Sequence, residues 1–140
     1  MALHRSQLYV GLVHEQIVVE NLTRTQIVQY AGASGDFNPL HTDEVFATEI
    51  AHYPSVFAHG MLTMGLTSRM VTNFVGDGRL VRFGGRFLAQ VWPGDDLTSR
   101  AEVAELIESD DGLLAELKIT TVNQNGKDVF TGHATARIDL

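Results

Sequence analysis

The second half of the chain alternates apolar and polar residues with a period of two. Apolar side chains occupy every second position between residues 113 and 119, and a similar alternation returns between residues 130 and 138. This period is typical of strands that bury one face. Asn125-Gly126 lies between the two runs and favours a type I′ hairpin turn, while Ser109-Asp110-Asp111-Gly112 marks an earlier turn. We therefore expect four consecutive strands, joined as an antiparallel meander.

The first half of the chain carries helix signals instead. Thr23 and Gln26 have the spacing of a capping box, so we expect a helix from about Arg24 to Ala33. Asp43 can cap a second, short helix that runs from Glu44 to about Ile50. The chain is therefore expected to pass through two helices before residue 60.

Residues 60–75 form the longest apolar region. The apolar residues in it are Met61, Leu62, Met64, Leu66, Met70, Val71, Phe74 and Val75. They leave no broad polar face, which predicts a largely buried helix, and Gly76-Asp77-Gly78 is expected to end it. A buried helix upstream of an antiparallel sheet indicates an α+β fold. We expect a single domain that covers residues 1–140.

Composition narrows the class of protein. The 140 residues are 44% hydrophobic, and no apolar stretch is long and unbroken enough for a signal peptide or a membrane span. The chain has no cysteine, which excludes disulfides, a thiolate nucleophile and cysteine-ligated metals. We therefore expect a cytoplasmic protein.

The net charge of −7 bears on the choice of ligand. The ten lysines and arginines are scattered along the sequence, so we expect no nucleic-acid partner. The acidity also repels a polyanionic substrate, unless a few arginines near the site reverse the local field. Arg69, Arg82 and Arg86 could do so, and we take Arg82 and Arg86 as candidate substrate-binding residues. For any one of them, a solvated surface position is the more common role.

The loop after the first helix gathers three polar side chains that suit acid–base chemistry. Asp36, Asn38 and His41 lie within six positions of irregular backbone. Asp36 and His41 could converge on one water molecule, with Asn38 orienting the water or the loop. The same residue types are also ordinary before a proline turn, so the pattern alone leaves both interpretations open.

These residues belong to a longer motif. Tyr30 to His41 resembles the signature of the MaoC-like, R-specific enoyl-CoA hydratases, the hydratase 2 motif. The agreement is residue for residue in Gly35-Asp36-x-Asn38-Pro39-Leu40-His41. Ala58-His59-Gly60-Met61-Leu62 and Trp92-Pro93-Gly94-Asp95 resemble two further segments of the family. The resemblance therefore covers nearly the whole chain.

Within that family, residues 59–65 and 71–77 look closest to the catalytic subunit of the mycobacterial-type (3R)-hydroxyacyl-carrier-protein dehydratase. The resemblance implies a hot-dog fold, in which an antiparallel sheet wraps around a central apolar helix. It also implies a hydro-lyase of fatty-acid metabolism. The implied reaction is the reversible hydration of a trans-2-enoyl thioester to the (3R)-3-hydroxyacyl thioester.

The resemblance also implies roles for single residues. In similar enzymes the counterparts of Asp36 and His41 hold and deprotonate the water, and that of Asn38 supports them. The counterpart of Gly60 offers its backbone N–H to the thioester carbonyl. A helix start suits this oxyanion role, because it presents free N–H groups and the positive end of the helix dipole. Ser68 is a further candidate from this resemblance, although a serine on a buried helix can equally bond the carbonyl four residues back.

The other histidines receive no chemical role. We expect His59 to be structural and bonded to loop backbone, and His133 to be exposed on the last strand. No pair of histidines with a carboxylate shows metal-ligand spacing, so we expect no metal and no cofactor.

Domains of this family usually pair through their sheets, so we expect a homodimer or a heterodimer with a related hot-dog subunit. An apolar edge strand would need such covering. Its apolar residues are Val81, Phe83, Phe87, Leu88 and Val91. The acyl thioester could be carried by coenzyme A or by an acyl carrier protein. Two rival interpretations are a hot-dog acyl thioesterase and a subunit of a heterodimeric hydroxyacyl-carrier-protein dehydratase.

Overall fold

A computed structural model describes residues 3–110 and 112–139 of the chain. The strands are β1 (Val13–Val19), β2 (Leu80–Phe87), β3 (Leu97–Ser109), β4 (Gly112–Val122) and β5 (Asp128–Ile138). They form one antiparallel sheet in the order β1-β3-β4-β5-β2. The helices are α1 (Arg24–Ser34), α2 (Pro39–Thr42) and α3 (Gly60–Val75), with a 3-10 turn at Arg5–Gln7 and a π turn at Phe46–Ile50. In this described part of the chain, no helix has the length and apolar character needed to cross a membrane.

The helix α3 packs against one face of the sheet, and the two together form the core. Every second residue of β4 points into this core and is at most 3% exposed: Leu113, Ala115, Leu117, Ile119 and Thr121. On α3 the buried residues are Thr63, Thr67, Met70, Val71, Phe74 and Val75. The predicted α+β hot-dog fold, with a sheet around a central helix, is therefore confirmed.

One side of α3 is open, which corrects the prediction of a largely buried helix. Met61, Gly65, Arg69 and Asn73 recur every four residues and are all exposed. Because an α-helix turns once in about 3.6 residues, this spacing forms a single stripe along one side. The sheet covers only the opposite side, and Met61 remains 55% exposed.

The strand order corrects the predicted meander. Strands β3, β4 and β5 are consecutive neighbours, but β2 pairs with β5, and β1 takes the place beside β3. The sequence did not reveal β1, because polar residues occupy the side of this strand that faces the helix and apolar residues occupy the exposed side. His14 and Gln16 face α3, where His14 stacks on Phe74. The other side of the strand carries Val13 and Ile17, which are exposed.

The hairpin between β4 and β5 closes with a different turn from the predicted type I′. Gly126 donates its N–H to the Asn123 carbonyl at 3.0 Å and has a φ of 75°. A type I′ turn requires positive φ at both central residues, and Asn125 does not have it. The loop is a hydrogen-bonded turn from Asn123 to Gly126, and its last residue is a left-handed glycine. The predicted turn at residues 109–112 includes Asp111, which lies outside the described residues.

Both predicted helix caps are present. The Thr23 side chain accepts from the Gln26 N–H at 3.0 Å at the start of α1. Asp43 Oδ1 accepts from the Phe46 N–H at 3.1 Å. The segment after Asp43 closes as a π turn, and it is preceded by α2, which the sequence pattern did not predict. His41 therefore lies within a short helix and not in the loop before one.

Candidate active site

The loop between α1 and α2 is held by short hydrogen bonds between side chains and backbone. Asp36 Oδ1 accepts from the Asn38 N–H at 3.2 Å. Asn38 Oδ1 in turn accepts from the Leu40 N–H at 3.0 Å and so caps α2. Gly35 ends α1 with a φ of 76°, a conformation that favours glycine. This arrangement presents the Asp36 side chain on an exposed bend, and it makes Asn38 a residue that shapes the loop.

His41 is oriented by a backbone carbonyl. Its Nδ1 lies 2.6 Å from the Phe57 oxygen. A carbonyl only accepts hydrogen bonds, so Nδ1 carries the proton and the neutral ring has its lone pair on Nε2. The Phe57 N–H donates to the Leu40 carbonyl at 3.2 Å. These two bonds fix α2 against the segment that leads into α3.

His59 joins the same loop to the start of α3. It is the N-cap residue of α3 and only 2% exposed. Its Nε2 donates to the Asp36 carbonyl at 2.9 Å, the contact with loop backbone that the sequence led us to expect. Its ring stacks on His41 with centroids 3.9 Å apart, and the edge of Tyr30 meets it at 4.8 Å. The buried Nδ1 of His59 has no hydrogen-bond partner among the described residues.

Asp36, His41 and His59 therefore form one cluster, in which nitrogen or oxygen atoms of the three side chains lie within 4.8 Å of one another. Burial is the largest influence on the pKa of His41 and lowers it from the ordinary value of 6.5. The charge of His59 lowers this pKa as well, while the Phe57 carbonyl and the Asp36 carboxylate act in the opposite direction. His41 is neutral near pH 7 as a result, with Nε2 free to act as a base.

The same three residues are of the types that bind metals, although sequence spacing gave no sign of a cluster. Their arrangement fits a water molecule better than a cation. A histidine ligand directs its lone pair within the plane of its ring, and a tetrahedral site needs lone pairs that converge. The rings of His41 and His59 are stacked with only 26° between their planes, so their lone pairs do not converge well. We assign no metal to this cluster.

A cavity of about 320 Å³ opens beside the first turn of α3. Its lining includes Phe57, Gly60, Thr63, Phe87, Leu88 and Val129. The ring of Phe87 lies directly against Gly60, because a Cβ atom added to Gly60 would come within 3.0 Å of it. Gly60 is the first residue of α3, so its N–H has no partner within the helix. A mostly apolar cavity thus meets a helix N-terminus.

The remaining predicted site residues lie elsewhere. Ser68 donates its hydroxyl to the Gly65 carbonyl at 2.7 Å, a local bond like the alternative considered for it, but to the residue three positions back and not four. Arg82 and Arg86 are exposed on β2, and neither lines the cavity beside Gly60. Arg69 donates to the Val18 carbonyl on β1. The structure thus brings together Asp36, His41 and, at the helix start, Gly60, but not the serine or the arginines.

Two residues of the site were absent from the sequence-based candidates. His59 was treated as structural, although its position directly before Gly60 was a signal that it lies at the site. Phe87 gave no signal, because it reaches Gly60 only through the packing of the end of β2 against α3.

The sequence is similar to proteins of known activity. The profile of the family described as "MaoC like domain" matches residues 11–125. The chain is 31% identical over 115 residues to the (R)-specific enoyl-CoA hydratase of Aeromonas caviae, a match that covers 81% of this chain and 84% of the relative. It is 33% identical over 89 residues to 3-hydroxyacyl-thioester dehydratase Y of Mycobacterium tuberculosis, covering 61% of this chain. That match spans only 31% of the dehydratase's length.

The fold is similar to solved structures as well. The unliganded R-hydratase PhaJ1 of Pseudomonas aeruginosa superposes with a TM-score of 0.87 and 28% sequence identity. The superposition covers 99% of this chain and 86% of that structure. Similarity of this extent includes all of the helices and strands that carry the cluster.

Proposed function

This chain belongs to the MaoC-like domain family, and from that premise we propose that it catalyses the reversible hydration of a trans-2-enoyl thioester to the (3R)-3-hydroxyacyl thioester in fatty-acid metabolism. The observation that carries the proposal is the pairing of Asp36 with a His41 ring whose Nε2 is free. Hydro-lyase activity of this kind is the one that the names of the relatives share.

The chemistry follows from the positions of two polar groups. A water molecule held between the Asp36 carboxylate and His41 Nε2 loses a proton to the pair while its oxygen forms a bond to C3 of the substrate. The electrons of the double bond move onto the thioester, and C2 then takes up a proton. The elements of water are thus divided between C3 and C2, and the reverse sequence gives dehydration. General acid–base assistance of this type contributes roughly a factor of 10² to 10⁴ in rate.

Gly60 supplies the third component. During the reaction, negative charge develops on the thioester oxygen, and a hydrogen bond from the Gly60 N–H at the start of α3 stabilises it. One such donor contributes about 3 kcal/mol to transition-state stabilisation. The apolar lining of the adjoining cavity accommodates the acyl part of the substrate. Asn38 supports the reaction by holding the loop, since its amide oxygen is occupied by the Leu40 N–H.

The test is loss of enoyl-thioester absorbance with crotonyl-CoA and with a long-chain trans-2-enoyl-CoA, followed by chiral analysis of the product. Asp36→Asn removes the carboxylate with little change of shape. Asp77→Asn is the matched control, because Asp77 is an exposed carboxylate beyond the other end of α3. We expect rapid hydration by the wild type and by the control, and almost none by Asp36→Asn. Release of free thiol from an acyl thioester, without hydration, would instead support the thioesterase interpretation.

We also propose that residues 1–140 act as a single hot-dog domain that pairs with a second copy or a related subunit. The support is the free edge of β2, where Val81, Phe87 and Leu88 are each about half exposed, at 52%, 49% and 50%. Val91, expected among these residues, is only 3% exposed within the chain itself and does not contribute. Light scattering of the wild type and of Val81→Lys tests the pairing, since a charge on the edge should favour the monomer.

A further inference from the structure

The face of the sheet that points away from α3 carries a row of cations near the β2 edge. Residues directly opposite one another on paired strands project to the same face of a sheet. Four successive cross-strand rows each contribute one cation: Arg137 opposite Leu114, Arg82 opposite Thr135, Lys118 opposite His133 and Arg86 opposite Thr131. We call Arg82, Arg86, Lys118 and Arg137 the cationic ladder.

The ladder is too long for a single small anion. Neighbouring rows are two residues apart, so the four cations are spread over about 20 Å along the strands. Each row is separated from the next by about 6.7 Å. This spacing is close to the distance of about 6 Å between residues four positions apart on an α-helix. A helix with acidic residues on one side would therefore match the ladder in both length and period.

The cations of the ladder are exposed, and none of them forms an ion pair with another described residue. Within residues 3–110 and 112–139, ion pairs engage Arg5, Arg24, Arg79 and Arg100 but no member of the ladder. One acid, Glu116, lies in the Arg82 row, and its carboxylate accepts from the Thr135 hydroxyl at 2.9 Å.

On the same face of the sheet, the part near β1 carries more acidic than basic side chains. There Glu15 and Glu102 surround Arg100, at 4.0 and 3.8 Å. A chain with a net charge of −7 thus places four of its ten lysines and arginines on one strip of surface. Such a concentration reverses the local field and attracts an acidic partner in spite of the overall charge.

One end of the ladder lies next to the candidate active site. Arg86 immediately precedes Phe87, whose ring rests against Gly60. A partner docked on the ladder would therefore reach the cavity around the end of β2, where the strand stops and its last side chain borders the helix N-terminus.

We propose that the cationic ladder docks an acidic helix of an acyl carrier protein, which delivers the enoyl group to the site on its phosphopantetheine arm. This inference rests on the proposed hydratase function and names the carrier for it. Charge complementarity, the length of the ladder and its position beside Gly60 all favour a protein carrier over the compact phosphates of coenzyme A.

Binding is measured with a fluorescently labelled, crotonyl-loaded bacterial acyl carrier protein at low salt. Lys118→Glu and Arg137→Glu each reverse one charge of the ladder. Lys127→Glu makes the same charge change in the turn after β4, outside the ladder, and is the control. We expect the Kd to rise about tenfold in each ladder variant, because repulsion replaces attraction, and to change little in the control. Thermal unfolding curves show that all variants are folded.

A second measurement separates the carrier from coenzyme A. The ratio of kcat/KM for crotonyl-carrier protein over crotonyl-CoA should fall in the ladder variants and with rising salt. No binding of the carrier protein by the wild type, or an equal loss for both substrates, overturns the docking proposal even if crotonyl-CoA is hydrated. Carrier binding that depends on the ladder, without hydration of either thioester, would retain the docking surface and refute the hydratase function.

Discussion

The two ends of α3 are built from the same helix but differ in what surrounds them. The last two turns bury Met70, Val71 and Val75 completely against the sheet. The first turn instead meets a cavity, a half-exposed phenylalanine and a pair of stacked histidines. The two ends of α3 therefore have different roles. The C-terminal end stabilises the fold by packing, and the N-terminal end presents N–H groups that have no partner within the helix. Substitutions at the two ends should therefore affect different measurements.

The largest expected effect concerns activity at the N-terminal end. His41→Ala removes the proposed base and should lower kcat roughly 10² to 10⁴-fold. The midpoint of thermal unfolding should change far less, because His41 is only partly buried. His52→Asn is the control, an exposed histidine whose φ of 63° asparagine tolerates. A kcat for His41→Ala within a few-fold of the wild type would contradict the assigned chemistry.

The next effect concerns stability at the C-terminal end. Met70 is fully buried, and Met70→Ala should lower the free energy of unfolding by about 2 to 5 kcal/mol. Met61 is 55% exposed on the open side of the same helix, so Met61→Ala should cost about 0.5 kcal/mol or less. Urea denaturation measures both. Equal costs at the two positions would mean that the helix ends do not differ in packing.

Two glycines on α3 sharpen the contrast within the first turns. Gly60→Ala places a methyl group 3.0 Å from the Phe87 ring. Either the ring or the bound substrate must then move away from the N-terminus of α3, so kcat/KM should fall about tenfold. Gly65→Ala meets no atom within 4 Å and should raise the free energy of unfolding by about 0.4 to 1 kcal/mol. Steady-state kinetics and denaturation of the pair distinguish a functional glycine from a merely tolerated one. Loss of activity in neither variant would count against the role of Gly60.

A modest effect on stability is expected between the two ends. Thr67 is fully buried, and its hydroxyl bonds the Thr63 carbonyl at 2.8 Å and Thr121 Oγ1 at 2.7 Å. Thr67→Val should cost about 1 kcal/mol of unfolding free energy. Thr72→Val, near the surface of the same helix, is the control. A much larger loss of activity than of stability in Thr67→Val would show that this hydroxyl acts in the reaction.

The pH dependence follows from the lowered pKa of His41. The proposed mechanism needs the neutral ring, so kcat/KM should rise with pH through a value below the ordinary 6.5. For stability, the unfolded chain takes up the proton at higher pH than the folded one. The contribution of neutral His41 to the free energy of unfolding is thus fully present above pH 6.5, and it is lost as the pH falls below that value. Comparing pH profiles of the wild type and His41→Ala isolates this group.

The sequence predicted best where one physical signal dominates. The bounds of α3 follow from an apolar-rich segment that is followed by glycines, and the buried face of β4 follows from strict alternation. Asp36 and His41 were found because their motif is contiguous in the chain. Strand β1 was missed because its helix-facing side carries His14 and Gln16, which sequence patterning assigns to solvent. The order of the strands and the approach of Phe87 to Gly60 depend on contacts between distant segments, which no local pattern records.

The stacking of His41 on His59 disfavours protonation of both rings at the same time. Two imidazoles at 3.9 Å repel each other strongly when both are cations, and burial makes that repulsion harder to screen. A state in which both rings are cations is therefore unfavourable, and in the proposed mechanism His41 carries one proton at a time. In that mechanism the proton that His41 takes from water must be passed on to carbon before the next cycle begins. Because the same proton would be carried in both directions, the proposed reaction would run towards hydration or dehydration according to the concentrations of enoyl and hydroxyacyl thioesters.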